Sequence, residues 1–203
     1  MTAPETTWVL DQLASAQSNI AAGYSDSNGN PVELIRVDRD ESQLYDGSGS
    51  FDMSGSVRSR SGDLKDGVFV GVTHADTTSE PIGTEYDHRR ETIVGVRIEG
   101  MHTSEWGKID PAGESGIPWA DAVRAVRRAI TNRRTFPDAG ARHVSYTDLT
   151  LANEVDDAAS HSDYYLATFD VVFNGYETLP IPDAPGIGFG TTSAGQSRFG
   201  DIS

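Results

Sequence analysis

Apolar side chains recur at helical spacing in residues 117–137, IPWADAVRAVRRAITNRRTFP. Steps of four, three and four residues place them on one side of an α-helix, while arginines point to the opposite side. Pro118 suits the first helical position, and Pro137 blocks continuation beyond the last turn. The sequence therefore predicts an amphipathic helix that covers a sheet with one apolar stripe, formed by Trp119, Val123, Val126 and Ile130.

A second amphipathic helix is predicted near the start of the chain. Thr6 or Thr7 can cap its first turn, and Gly23 marks its end. The same spacing of four, three and four residues gives this helix a single apolar stripe, formed by Val9, Leu13, Ala16 and Ile20.

Five further segments have strand patterns: residues 67–74 are a short, mostly apolar run, and the others alternate apolar and polar residues, some only loosely. The elements follow in the order helix, three strands, helix, two strands and a tail. Two single-striped helices and about five strands predict an α+β fold, a two-layer sandwich in which both helices cover one face of a mainly antiparallel sheet. The predicted strands are residues 32–39, 67–74, 91–100, 143–153 and 163–174.

The remaining segments are rich in turn-forming residues. Residues 75–90 are predicted to form a long polar loop, and residues 40–66 to form either a long loop or short edge strands. Prolines and glycines interrupt regular structure near the end, so residues 176–203 are expected to be an extended tail that orders only against a partner. The chain is thus interpreted as a single α+β domain, residues 1–175, followed by this tail.

The chain is strongly acidic. The formal net charge is −15, with 31 acidic residues against two lysines and 14 arginines. An excess of surface carboxylates keeps proteins hydrated where salt screens charge, so we interpret the chain as salt-adapted; the alternative is an ordinary acidic protein that avoids anionic partners. The acidic balance also argues against binding of nucleic acid by the whole surface.

The sequence contains no cysteine, so disulfides and cysteine-based metal sites are not expected. It shows neither the charged and apolar segments of a secretory signal nor a run of about eighteen apolar residues, so a soluble chain that does not span a membrane is expected.

No segment carries a recognised catalytic, cofactor or metal-binding pattern, and none is predicted. The five histidines lack the spacings that place two ligands on one face of a helix. Asp26, Asn28 and Asn30 resemble the opening of a calcium loop, but Pro31 and Val37 occupy the positions that need glycine and glutamate. That segment is therefore predicted to be a turn.

Two charged clusters remain. Glu85, Asp87, His88 and Arg89 lie in the predicted polar loop, where a carboxylate beside a histidine could serve acid or base catalysis, or where the charges could form a salt-bridge network in solvent or at a subunit interface. Residues 122–142 hold six arginines and one acid, and could form helix-face ion pairs or contact an acidic subunit or DNA phosphate. We single out three of these arginines, Arg124, Arg127 and Arg128.

The element order over residues 7–175, with the helix WADAVRAVRRAI and the strand DYYLATFDVVFNGYE, resembles the tail terminator, or tail-completion, proteins of tailed viruses. The resemblance implies a homo-oligomeric ring, commonly a hexamer, that caps the tail tube and joins it to the head-tail connector or adaptor protein. It implies no catalytic residues and no cofactor. The host would be a halophile, and the protein would be assembled in the host cytoplasm and reside in the neck of the virion.

On this resemblance, Arg124, Arg127 and Arg128 are expected either at a contact between subunits or at the axis of the ring. At the axis they would contact DNA transiently as it passes. Residues 85–89 are expected to reach the next copy or the tail tube. The alternatives are another neck component or a tail-tube protein, a soluble enzyme that uses Asp87 and His88, and a cytoplasmic binding module whose tail docks a partner.

Salt adaptation makes the first testable prediction. Because carboxylates repel one another more strongly when salt is removed, the melting temperature should fall steadily as the salt concentration is lowered from molar to millimolar. Circular dichroism melts across this range check it. A melting temperature that stays constant would contradict the interpretation.

Overall fold

The computed structural model of the chain describes residues 3–37, 67–73, 75–83, 86–102, 108–132, 135–138, 143–156 and 164–179. These residues form two helices and six strands. In chain order they are α1 (Pro4–Gly23), β1 (Glu33–Val37), β2 (Gly67–Val72), β3 (Asp76–Pro81), β4 (Asp87–Met101), α2 (Trp119–Thr131), β5 (Val144–Asp156) and β6 (Tyr164–Thr178).

Both helices bury the apolar stripes that their spacing predicts. Helix α1 begins at Pro4, whose fixed φ suits a first turn, and helix α2 begins directly after Pro118. The two helices contact each other and share one core with the sheet, in which the ring of Trp8 meets the edge of Phe173 at 5.5 Å between centroids. The predicted α+β sandwich with helices on one face of the sheet is therefore confirmed.

The sheet is mainly antiparallel and is built around its two longest strands. Its order is β1-β2-β4-β6-β5, and only β1 and β2 pair in parallel. Strands β4 and β6 pair without a register shift over their full 15 residues, from Asp87 opposite Thr178 to Met101 opposite Tyr164. Strand β3 pairs with the first half of β4, beyond the end of β2.

The predicted loop at 75–90 is wrong, because most of this segment forms a β-hairpin. Its first strand, β3, is exposed along all six residues, DTTSEP, and is held by pairing with β4 rather than by burial. The backbone between β2 and β3 stays attached to β4, since Thr73 donates its N–H to the Gly95 carbonyl and accepts the Gly95 N–H at its hydroxyl. The sheet consequently has six strands rather than about five.

Two other predicted boundaries can be compared with the structure. Strand β4 begins at Asp87 and not at residue 91, and β6 continues to Thr178, so regular structure extends into the start of the predicted tail. The predicted loop at 40–66 and the tail from residue 180 lie outside the described residues.

A buried polar network lies beneath the N-terminal turn of α1. At its centre Arg90 of β4, which is 8% exposed, reaches Glu5 of α1, which is 2% exposed. The network joins α1, β3, β4, β5 and β6. Arg90 donates to Glu5, Glu177, Thr92 and Tyr146 at 3.2 Å each and to Thr77 at 3.5 Å, and the Tyr146 hydroxyl donates to Glu5.

The protonation states of this network follow from burial and partners. Burial raises the pKa of the Tyr146 phenol to about 12, and its hydrogen bond to the Glu5 carboxylate acts in the same direction, so the phenol stays protonated and donates. Burial alone lowers the pKa of Arg90, but its contacts with Tyr146 and Glu177 outweigh this effect, so the pKa is raised and the guanidinium stays charged.

Removing the guanidinium tests how far the fold depends on this network. Arg90→Met should lower the free energy of unfolding by about 3–5 kcal/mol, because it leaves the buried Glu5 carboxylate without its counter-charge. The matched control is Arg89→Met, at the exposed neighbouring position of the same strand, which should change it by no more than about 0.5 kcal/mol. Denaturant unfolding in molar salt measures both; equal effects would contradict the assigned role.

Candidate interaction surface

The outer side of α2 and the adjoining part of β5 form an open groove of about 420 Å³. Because the apolar stripe of α2 faces the core, its arginines necessarily line the solvent side of the helix. Both apolar and charged side chains line the groove. The lining residues are Ala120, Val123, Arg124, Arg127, Arg128, Thr131, Leu151 and Asp156.

Arg124 is held at the start of α2 by a local ion pair. Its partner is Asp121, one turn earlier on the same helix face. The other oxygen of Asp121 accepts a hydrogen bond of 2.8 Å from the hydroxyl of Tyr24, which follows α1. This hydrogen bond raises the pKa of Tyr24, so the phenol remains a donor and links the end of α1 to the start of α2.

Arg127 instead ties α2 to the edge strand β5. Its guanidinium lies 2.6 Å from Glu154, and the indole N–H of Trp119 donates to Asp156 at 2.8 Å. Strand β5 shifts register between Ala152 and Val155, and Asn153 has a positive φ of 50°. This irregularity lies beside both residues that contact α2.

Arg128 differs from the other two arginines. It is exposed in the last turn of α2 and, within the described part of the chain, no ion pair is found for it. A helix-face ion pair, as one interpretation of the basic run predicts, therefore accounts for Arg124 alone; Arg127 pairs with a strand residue, and Arg128 with neither. Arg133, Arg134 and Arg142 lie outside the described residues.

Three residues of the second predicted cluster, Asp87, His88 and Arg89, lie in strand β4 and not in a loop. Asp87 and Arg89 are exposed on the sheet face away from the helices, whereas His88 lies on the other side, with its Nδ1 3.0 Å from the Ser79 hydroxyl. Because consecutive strand residues face opposite ways, β4 does not present Asp87 and His88 as an acid–base pair. Glu85 lies outside the described residues.

Sequence reasoning missed Arg90 as the centre of a buried network. Arg90 falls at the end of the segment predicted to be a polar loop, whereas in the structure it belongs to β4 and is buried. Its alternation with the buried positions Thr92 and Val94 is the one signal in the sequence that could have indicated its burial.

The turn at residues 26–31 is confirmed and helps to hold the segment before α2. Asp26 accepts the backbone N–H groups of Asn28 at 2.9 Å and Asn30 at 2.8 Å, and its carboxylate lies 2.6 Å from the Lys108 ammonium. Asp110 then accepts three backbone N–H groups, from residues 112, 114 and 115, each at 2.9 Å. These two carboxylates position the chain that leads into α2.

No protein-family model matches the chain, and no curated protein matches it significantly. Among the described residues, no three acidic or histidine side chains group closely enough to hold a metal ion. No helix in the described part of the chain is long and apolar enough to cross a membrane.

The aspartates before α2 make stability depend on pH. The hydrogen bond from Lys108 lowers the pKa of Asp26, and backbone hydrogen bonds led by that of Ser115 lower the pKa of Asp110, both from an ordinary value of 3.8. A lowered pKa stabilises the fold at pH values above the ordinary one, and this stabilisation is lost as the pH falls towards the folded-state value.

We therefore expect the melting temperature to fall below about pH 4, and to fall less steeply in Asp110→Asn, which no longer titrates at this position. Melts at several pH values in molar salt give the comparison, with Asp11→Asn, at an exposed position of α1, as the control. Identical pH profiles for Asp110→Asn and the unaltered protein would contradict the contribution of Asp110.

Proposed function

We propose that this protein is a structural component of a tailed virus of a halophilic host, and that it forms a ring, a hexamer by resemblance, at the head-tail junction. The ring would cap the tail tube and join it to the connector or adaptor protein. The proposal requires no catalytic centre and no cofactor. It rests on the α+β sandwich and on the element order by which the chain resembles tail terminators.

The observation that carries the proposal is the exposed arginine groove on α2. A chain with a net charge of −15 repels its own copies least where a positive charge is exposed. In the groove Arg128, which has no ion pair among the described residues, supplies such a charge for an acidic partner. Another copy of this chain is such a partner. DNA passing along the axis of the ring is a second anion that the arginines could meet transiently.

Strand β5 is the last strand of the sheet among the described residues, and its irregular edge favours a contact through side chains over a sheet that continues between copies. The strand has two register shifts, one between Tyr146 and Asp148 and one between Ala152 and Val155. Such irregularities interrupt the row of backbone groups that a neighbouring strand would need. A head-to-tail contact that uses two different surfaces closes into a ring when its rotation divides a full circle.

Assembly in solution tests this proposal. Light scattering in molar salt should give a single mass of about six chains, and electron microscopy should show closed rings. Growth of the chain alone into long tubes would instead identify a tail-tube protein, and a monomer at all concentrations would contradict the proposal.

Charge reversal of the groove should abolish this assembly and leave the fold intact. In the variant Arg124→Glu/Arg128→Glu both positions are exposed, so the melting temperature should change little while the mass falls to that of one chain. The control is Glu114→Arg, at an exposed position of the loop before α2, which should still assemble. Rings that persist in the double variant would show that the groove is not the contact.

A further inference from the structure

The structure identifies a surface that complements the arginine groove. It is the described part of the β3–β4 hairpin, residues 76–83 and 86–91, which carries four acidic side chains and two arginines. One of these arginines, Arg90, is buried in the network with Glu5 and contributes no exposed positive charge. The exposed hairpin is therefore strongly acidic.

The tip of the hairpin adds an apolar group to this acidic surface. Ile82 is 43% exposed, at the point where its N–H donates to the Asp87 carbonyl and closes the hairpin. Gly83 follows with a φ of +90°, a conformation that a side chain disfavours. Glu80, two residues before Ile82, is exposed and has no ion pair among the described residues.

The groove offers matching groups for such a tip. The exposed Ala120 and the partly buried Leu151 supply apolar surface, and Arg128 supplies a cation without an acidic partner in the described part of the chain. A volume of about 420 Å³ is enough for a few side chains and lies within the usual range of binding pockets, roughly 300–1,000 Å³. The unpaired charges of the two surfaces, Glu80 and Arg128, are thus opposite, and each surface also offers apolar side chains.

A hairpin cannot reach the groove of its own chain. Leu151, which lines the groove, pairs with Val171 of β6, and Val171 pairs with Val94 of β4. Val94 lies seven residues along β4 from Asp87, where the hairpin closes. At about 3.4 Å per residue, the groove and the tip are separated by roughly 24 Å along the strands, and by two strands across the sheet. A contact between them must therefore join two copies.

We propose that the β3–β4 hairpin of one copy docks in the α2–β5 groove of the next, with Glu80 against Arg128 and Ile82 on the apolar surface. This inference rests on the proposed ring, whose contact it specifies. In molar salt the Debye length is only about 3 Å, so attraction between distant charges is lost. Ion pairs in direct contact and buried apolar surface persist under these conditions. The hairpin and the groove supply one such ion pair, Glu80 with Arg128, and one apolar contact, that of Ile82.

A charge swap tests the polar half of this contact. Glu80→Arg and Arg128→Glu should each weaken assembly in molar salt by about tenfold or more, and the double variant should recover most of it. The midpoint of assembly on dilution, followed by light scattering, measures these effects. The pairing would be refuted if the single variants had the same assembly midpoint as the unaltered protein. It would also be refuted if the double variant assembled no more strongly than either single variant.

Cross-linking tests the apolar half, and the absence of native cysteine makes every disulfide assignable. The variant Ile82→Cys/Ala120→Cys places one thiol on the tip and one on the groove. On oxidation it should give a covalent ladder that ends at the mass of the ring, whereas a variant with either cysteine alone should not form this ladder.

The outcomes separate this inference from the proposed function. Rings without a covalent ladder would leave the ring proposal standing and overturn the hairpin contact. A ladder that stops at two chains would mean that two copies each dock their hairpin in the groove of the other. This result would support the hairpin contact and overturn the ring. A protein that is monomeric in light scattering and gives no ladder would overturn both.

Discussion

The contact between Arg90 and Glu5 is the interaction on which the rest of the structure depends. It joins the first turn of α1 to the middle of the sheet, and through Thr77, Tyr146 and Glu177 it also holds β3, β5 and β6. Exposed ion pairs lose strength in concentrated salt, whereas a pair this deeply buried is screened much less. A chain with a net charge of −15 therefore keeps its two layers together with an interaction that both low and high salt leave in place.

The elements that could be predicted from the sequence are those that bury one side. Both helices and the central strands β4 and β6 have apolar residues at regular spacing, because one of their faces packs in the core. Strand β3 has no such pattern, since all six of its residues are exposed and only its pairing with β4 defines it. The burial of Arg90 was equally hidden, because its partner Glu5 lies 85 residues away in the chain.

Only the helical part of the candidate surface could be predicted from the sequence. The position of Arg124, Arg127 and Arg128 on the solvent side of α2 follows from helical spacing, and so does the ion pair of Arg124 with Asp121, three residues earlier. The pair between Arg127 and Glu154 could not be predicted, because it depends on how α2 crosses an irregular edge strand. What the sequence leaves open is which arginine remains available to a partner.

Ring formation requires more than two complementary surfaces; it requires that the angle between them be fixed. Here the hairpin and the groove lie on opposite sides of the same ladder, in which β4 and β6 pair over 15 residues without a shift. The hairpin is a direct extension of β4, and the groove is attached to β6 through β5 and to the core through Trp119. The network around Arg90 also joins β3, β5 and β6 to α1 by hydrogen bonds, so the strands that carry the two surfaces are connected through the core as well as through the sheet. A flexible linkage between them would allow chains of variable curvature, whereas a rigid one gives every contact the same rotation and so favours closure.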